Sequence, residues 1–147
     1  VDQCLLLATA EQGRLPLRAE SVPLRALALG MIETYELLAR ESARPLTIIA
    51  PAEVTVMADP SYLRQILHNL LTNALRHGKG EIHVVVGSDG HGAFFRVSNA
   101  ISLQPSAAAP GTGLGLRIVR ALATLNAHVA FTADTVAGNF VAELRWR

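Results

Sequence analysis

At 147 residues and a formal net charge of +1, the chain is long enough for one domain with a real core. It is too nearly neutral to carry the broad basic field that nucleic acid binding requires. The single Cys4 excludes a disulfide framework, suits a reducing compartment and reads as a small apolar side chain. No uninterrupted apolar run approaches the ~20 residues of a membrane span. The lack of a signal peptide and the start at Val1 give the expectation of a piece of a longer protein, with any upstream anchor out of view.

Val1 to about Gly13 reads as the last turns of a helix that Gly13 ends. Arg14–Pro23 is expected as a linker packing through Leu15, Leu17 and Val22. Pro23 is expected to open the next helix, with Leu24, Leu27, Ala28, Met31, Tyr35 and Leu38 on its core face. Leu46–Ala50 and Glu53–Ala58 are β-prone runs split by Pro51, one strand each. Asp59 then has the chemistry of a helix N-cap, and Pro60 fits the first helical position, where a missing N–H is harmless. Leu63, Ile66, Leu67, Leu70, Leu71, Ala74 and Leu75 recur behind it at helical spacing.

Beside that stripe runs a polar one: Asn69, Asn73, Arg76 and His77 stand at i, i+4, i+7 and i+8. Asparagine is a mediocre interior helix residue because its side chain competes for backbone hydrogen bonds. Two stacked one turn apart suggest a binding task; the plain alternative is a pair of satisfied polar side chains on a half-buried helix. Gly78 and Gly80 close the helix. Ile82, Val84 and Val86 alternate with polar or small neighbours, Ser88–Gly92 is a turn cluster, and Phe94–Ser98 completes an antiparallel hairpin.

Asn99–Pro110 has little charge and no period, and reads as a loop. After it, GTGLGLRIVRAL (Gly111 to Leu122) sets a glycine-rich turn before an amphipathic helix whose Leu114, Ile118, Leu122 and Leu125 face inward. Glycines admit a ligand to the backbone, and a helix N-terminus offers free N–H groups, so the turn can cradle phosphates. Val129–Ala133 and Phe140–Trp146 close the sheet, with a turn over Asp134–Asn139. Helices interspersed with hairpins predict an α+β fold, a two-layer sandwich with helices on one face of a mixed sheet.

Asp59–His77 resembles the N box, and Gly111–Leu116 the G2 box, of the catalytic ATP-binding domain of bacterial sensor histidine kinases, a branch of the GHKL superfamily with the Bergerat-type fold. Leu5–Leu24 is similar to the end of the dimerisation helix and the linker that precede this domain. The resemblance covers about the whole chain. It implies a division into residues 1–22, helix end and linker, and 23–147, catalytic domain. It further implies a protein-histidine kinase that transfers the γ-phosphoryl group of ATP, with Mg²⁺, to a His of its dimerisation domain for relay to a response regulator. Matched onto the N box, Asn73 would be the Mg²⁺ ligand and Asn69 would assist the metal or the phosphates. Arg76 takes the place of the basic residue that reaches the nucleotide, and His77 that of an aromatic residue near it. Gly111, Thr112, Gly113, Leu114, Gly115 and Leu116 would wrap the phosphates.

Asn69 stands where hydrolytic branches of the superfamily carry a Glu base. An amide cannot activate water, so a standalone ATPase is disfavoured and transfer to a protein acceptor favoured. That acceptor is missing: His68, His77, His83, His91 and His128 are followed by Asn, Gly, Val, Gly and Val, where the family has an acidic residue. Other departures lie around the base-binding segment. Asn99 falls at or next to the family's adenine-binding Asp, and Ala100 and Ile101 replace its glycines. A neutral acceptor makes a weaker bond than a charged one, so looser ATP binding is expected, and Asn99→Asp is expected to tighten it. The lid, Ile101–Pro110, is short and uncharged, and Asn139 stands near a Thr said to support the adenine-binding carboxylate. These departures motivate the alternative reading, a degenerate domain that serves as an interaction or allosteric module. The fragment is expected to be monomeric and cytoplasmic. The intact protein is expected to be a homodimer, with anchoring in the inner membrane left open.

Overall fold

The computed structural model describes residues 3–101, 114–126 and 128–147. Helix α1 (Gln3–Glu11) ends before Gly13, whose φ of 68° needs a glycine. Strand β1 (Glu20–Pro23) leads into α2 (Leu24–Glu41), then β2 (Leu46–Ile49) and β3 (Thr55–Ala58). Helix α3 (Pro60–Arg76) is followed by the hairpin of β4 (Lys79–Asp89) and β5 (Gly92–Ala100). Helix α4 (Leu114–Thr124) and the hairpin of β6 (Val129–Val136) and β7 (Asn139–Trp146) complete the described chain.

Five strands form one mixed sheet in the order β2-β4-β5-β7-β6, and β1 with β3 forms a separate antiparallel pair. Only β2 and β4 run parallel, so the chain between them must cross over, and it does so through β3 and α3. The crossover lays α3 over one face of the sheet. Rows across that face follow from the register: Val86, Phe95 and Leu144 in one, Val84, Val97 and Ala142 in the next, Ile82, Asn99 and Phe140 in the last. Phe95, Val86 and Leu144 are wholly buried, and against them pack Leu67 and Leu70 of α3 with Ile118 of α4. The two-layer α+β architecture is therefore the one the sequence predicts.

Three local readings change. The last residues of the expected linker form β1, which pairs Val22 with Val56. With one inward apolar side chain in ESVP, this strand has no period to reveal it. Pro23 is the N-cap of α2, not its first residue, and the buried stripe is Leu24, Ala28, Ile32, Tyr35 and Ala39. Leu38 lies outside that stripe and is 43% exposed, while Leu27 and Met31 pack at its edge. An α2 sequence with Leu or Ala on nearly every side leaves the core face ambiguous by most of a turn. Finally, β6 and β7 run further than expected and meet in a two-residue turn, Ala137-Gly138, both with positive φ (51° and 80°) as a type I′ hairpin requires.

Gly92 is a position where glycine is obligatory. Its φ is 114°, and a Cβ there would lie 1.9 Å from the Trp146 carbonyl oxygen. Gly92→Ala is expected to cost more than ~1 kcal/mol of stability, whereas Gly90→Ala, with open space around it, should stay within ~0.5 kcal/mol. Denaturant midpoints of the two variants check this.

Candidate functional site

Helix α3 is secured at its start by its own N-cap and at its end by side chains that the chain brings in from a distance. At its start the Asp59 carboxylate accepts from the N–H groups of Ser61 (3.0 Å) and Tyr62, and its other oxygen accepts from the Arg18 N–H (3.0 Å). The N-cap expected at Asp59 is thus in place. At the other end the buried Arg44 guanidinium donates to the carbonyls of Ala74 (2.5 Å) and Leu75 (3.1 Å), and its Nε to the Gly80 carbonyl (3.0 Å). A cation at the negative end of a helix is favourably placed, and bonds to charged groups are the stronger ones. Burial pulls the Arg44 pKa below its ordinary value without a compensating carboxylate.

Asn99 completes the end of the helix. It is 3% exposed, projects from β5 toward the helical layer, and donates through Nδ2 to the carbonyls of His77 and Ala100, each at 3.1 Å. Between these partners sits Gly78 with φ of 87°, where a Cβ would come within 1.9 Å of Asn99 Nδ2. No described residue donates to Asn99 Oδ1. Asn139 lies beside Asn99 in the register, opposite Ala100, but its amide turns to the Ala137 carbonyl of its own turn.

With its ends fixed, α3 presents His68, Asn69, Thr72, Asn73 and Arg76 to a cleft of about 290 Å³, which His77 lines just past the helix. Leu114, Gly115 and Leu116 at the start of α4 form the opposite wall, and Gln3 of α1 closes a side. A Cβ at Gly115 would meet nothing within 4 Å, so its missing side chain leaves room in the cleft. The expected site residues on α3 and the described part of the glycine segment are therefore brought together. Gly111, Thr112, Gly113 and the lid residues from 102 to 110 lie outside the described residues. Asn99 is not among the residues lining the cleft; it supports the end of the helix that forms it. Two hollows of about 520 and 530 Å³ are larger, but none of the described residues lining them is an expected site residue.

Within the cleft, Asn69 is 3% exposed. Its Oδ1 accepts from Gln65 Nε2 at 3.3 Å, and its Nδ2 is buried with no partner among the described residues. The Asn73 carboxamide is half-buried and bonds to no described residue. No carboxylate is among the described residues that line the cleft, so the wall is rich in N–H donors and suits an anion. Residues 58–145 match the family described as histidine kinase-, DNA gyrase B-, and HSP90-like ATPase. The chain belongs to that family.

Its relatives place this ATPase domain in the sensor histidine kinase branch. It is 34% identical to a probable sensor histidine kinase HK of Mycobacterium tuberculosis over 98% of its own length and 41% of that protein's. It is 35% identical to the sensor histidine kinase component HK1 of the same species, covering 76% of each chain. The chain thus spans about two-fifths of the first relative. The solved structure of the Acinetobacter baumannii histidine kinase AdeS shares the fold of this ATPase domain, with a TM-score of 0.82 at 15% identity, over 99% of this chain and 75% of that one.

Sequence reasoning missed His68, Thr72, Gln65 and Arg44. The first two were within reach: His68, Thr72 and Arg76 recur every four residues on the face that carries Asn69 and Asn73. Arg44 gives no local signal, because its partners lie at the far end of α3 and just past it, 30 or more residues along the chain. The expected benefit of Asn99→Asp also changes, since Asn99 here works as a donor. A carboxylate would set oxygen against the His77 and Ala100 carbonyls. Asn99→Asp is expected to lower stability by about 1–3 kcal/mol at neutral pH. The surrounding oxygens would raise the new carboxyl's pKa, so the loss should shrink as pH falls and it protonates. Thermal melts across pH check both the size and the sign.

Proposed function

We propose that the cleft between α3 and α4 binds ATP with Mg²⁺, and that in the longer protein the domain transfers the γ-phosphoryl group to a histidine. The observation that carries this reading is the donor-rich, carboxylate-free wall formed by Asn69, Asn73 and Arg76 opposite Gly115. Catalysis of phosphoryl transfer is mostly positioning and charge stabilisation, which such a wall can supply. Asn69 has its oxygen engaged by Gln65, so its buried N–H group is the free one and suits a phosphate oxygen. Asn73 keeps its amide oxygen for the metal. Among the described residues no group of three or more His, Cys, Asp or Glu could hold a metal ion, so phosphate oxygens and water would fill the remaining positions. Bound there, Mg²⁺ would supply charge neutralisation between the phosphates.

Arg76 reaches the cleft from the exposed end of α3, where a cation approaches the nucleotide without a burial cost. The His77 backbone, next to Arg76 in the chain, is held through its carbonyl by Asn99. Asn99 thus serves the site from behind its described lining. Gly111, Thr112 and Gly113, with Leu114, Gly115 and Leu116, are assigned to the phosphates. With no carboxylate on the described wall and an amide at Asn69, transfer to a protein acceptor is the supported outcome.

The acceptor histidine would belong to the protein's own dimerisation domain, of which residues 1–22 are the end and linker, and the phosphoryl group would pass to a response regulator. Use of ATP implies a cytoplasmic domain, and a homodimer is assigned to the intact protein. No described helix is long and apolar enough to cross a membrane. The degenerate-module reading loses ground because Asn69, Asn73 and Arg76 still share one cleft.

Calorimetric titration with a non-hydrolysable ATP analogue tests the site. Binding should require Mg²⁺ and weaken at least ~10-fold, about 1.4 kcal/mol, in Asn73→Ala. Stability of that variant should change by no more than ~0.5 kcal/mol. No binding by the unaltered chain at saturating nucleotide and Mg²⁺ would return the domain to the interaction-module reading.

A further inference from the structure

His68 is the cleft residue for which the reading so far has no use. It precedes Asn69 on α3, lines the same cleft, and is half-buried. Its Nδ1 is hydrogen-bonded to the hydroxyl of Tyr35, which comes from α2 and is 7% exposed. The two rings lie 5.9 Å apart, tilted by 52°. The imidazole is thus held through Nδ1 by a residue belonging to a different helix.

That grip selects a tautomer. Burial pushes the Tyr35 pKa above its ordinary value, so the hydroxyl keeps its proton. Among the described residues the hydroxyl has no partner other than His68. Were the imidazole proton on Nδ1, the tyrosine proton would be left in a part-buried place with no acceptor among the described residues. The Tyr35 O–H therefore donates to Nδ1, and the ring proton sits on Nε2. His68 Nε2 has no described partner, and its neighbours on the wall are the Asn69 amide and Thr72. The Thr72 hydroxyl is itself tied to the carbonyls of His68 (2.9 Å) and Asn69 (3.3 Å), which leaves its hydrogen committed.

We propose that His68, oriented by Tyr35, is a further nucleotide-binding residue that donates from Nε2 to a phosphate oxygen of the bound nucleotide. The inference rests on the ATP-binding reading of the cleft. Tyr35 is a positioning residue in this scheme and touches no nucleotide. The arrangement gives the phosphate wall a donor alongside Asn69, and connects α2 to the occupancy of the cleft.

The Asn and Gln variants separate the two ends of the ring, because Asn reproduces a group near Nδ1 and Gln one near Nε2. In titrations with the non-hydrolysable ATP analogue and Mg²⁺, His68→Asn should bind about tenfold more weakly and His68→Gln within about threefold of the unaltered chain. Tyr35→Phe should fall between them. In ¹⁵N NMR of the unaltered chain, His68 should show the Nε2–H tautomer, its Nε2 resonance should move on nucleotide addition, and Tyr35→Phe should shift the tautomer balance. Unweakened binding by His68→Asn, or an Nε2 resonance that ignores nucleotide, overturns the inference. If Asn73→Ala still abolishes binding in that case, the ATP site stands and only the role of His68 falls. If the unaltered chain binds no nucleotide, both fall.

Discussion

A helix leaves its last carbonyls without partners, and in α3 those carbonyls belong to the residues that flank the cleft. Arg44 takes the carbonyls of Ala74 and Leu75, and Asn99 takes that of His77. Neither side chain is local. Arg44 follows α2, immediately before β2, and Asn99 is near the end of β5. The same guanidinium holds Gly80, next to the start of β4, while the Ile82 N–H donates to the Pro45 carbonyl at 2.8 Å. One buried cation therefore fixes both the end of the helix and the register in which β2 meets β4. A one-residue slip of that register would turn Ile48 and its neighbours to the wrong face. The positions of Asn73, Arg76 and His77 follow from that constraint.

The cleft built on this helix has an unequal chemistry. Its amides, imidazoles and guanidinium supply donors, and no described lining residue supplies a carboxylate. Such a wall stabilises a polyanion and offers no carboxylate base. It can hold phosphates and leave the choice of acceptor to whatever protein surface arrives. The amide at Asn69 is central to this balance, since its oxygen is engaged by Gln65 and its N–H group meets no partner among the described residues.

Much of this was legible in the sequence wherever a pattern was local. Asp59 and Pro60 announced the start of α3, the leucine stripe its buried face, and the Asn69–Asn73 spacing the cleft. Alternation at Ile82, Val84 and Val86 gave β4 its core side. What escaped depends on distance along the chain. β1 exists because Val22 finds Val56, and four residues with one inward side chain show no period. The core face of α2 was misjudged because several of its sides are apolar. The use of Asn99 as a donor could not be read from its type, because an amide donates or accepts according to what surrounds it.

The contact between Gly78 and Asn99 also bears on how this domain can change over generations. A methyl group at position 78 would overlap the Asn99 amide, and a carboxylate at position 99 would face two carbonyl oxygens. A step toward an acidic residue at 99 is penalised until the His77–Gly78 backbone has moved. Position 78 is closed to larger residues whatever stands at 99, because its φ is positive and the Ala100 carbonyl oxygen would lie 2.5 Å from a Cβ. The glycine is therefore the fixed member of the pair, and any change at 99 has to be accommodated around it.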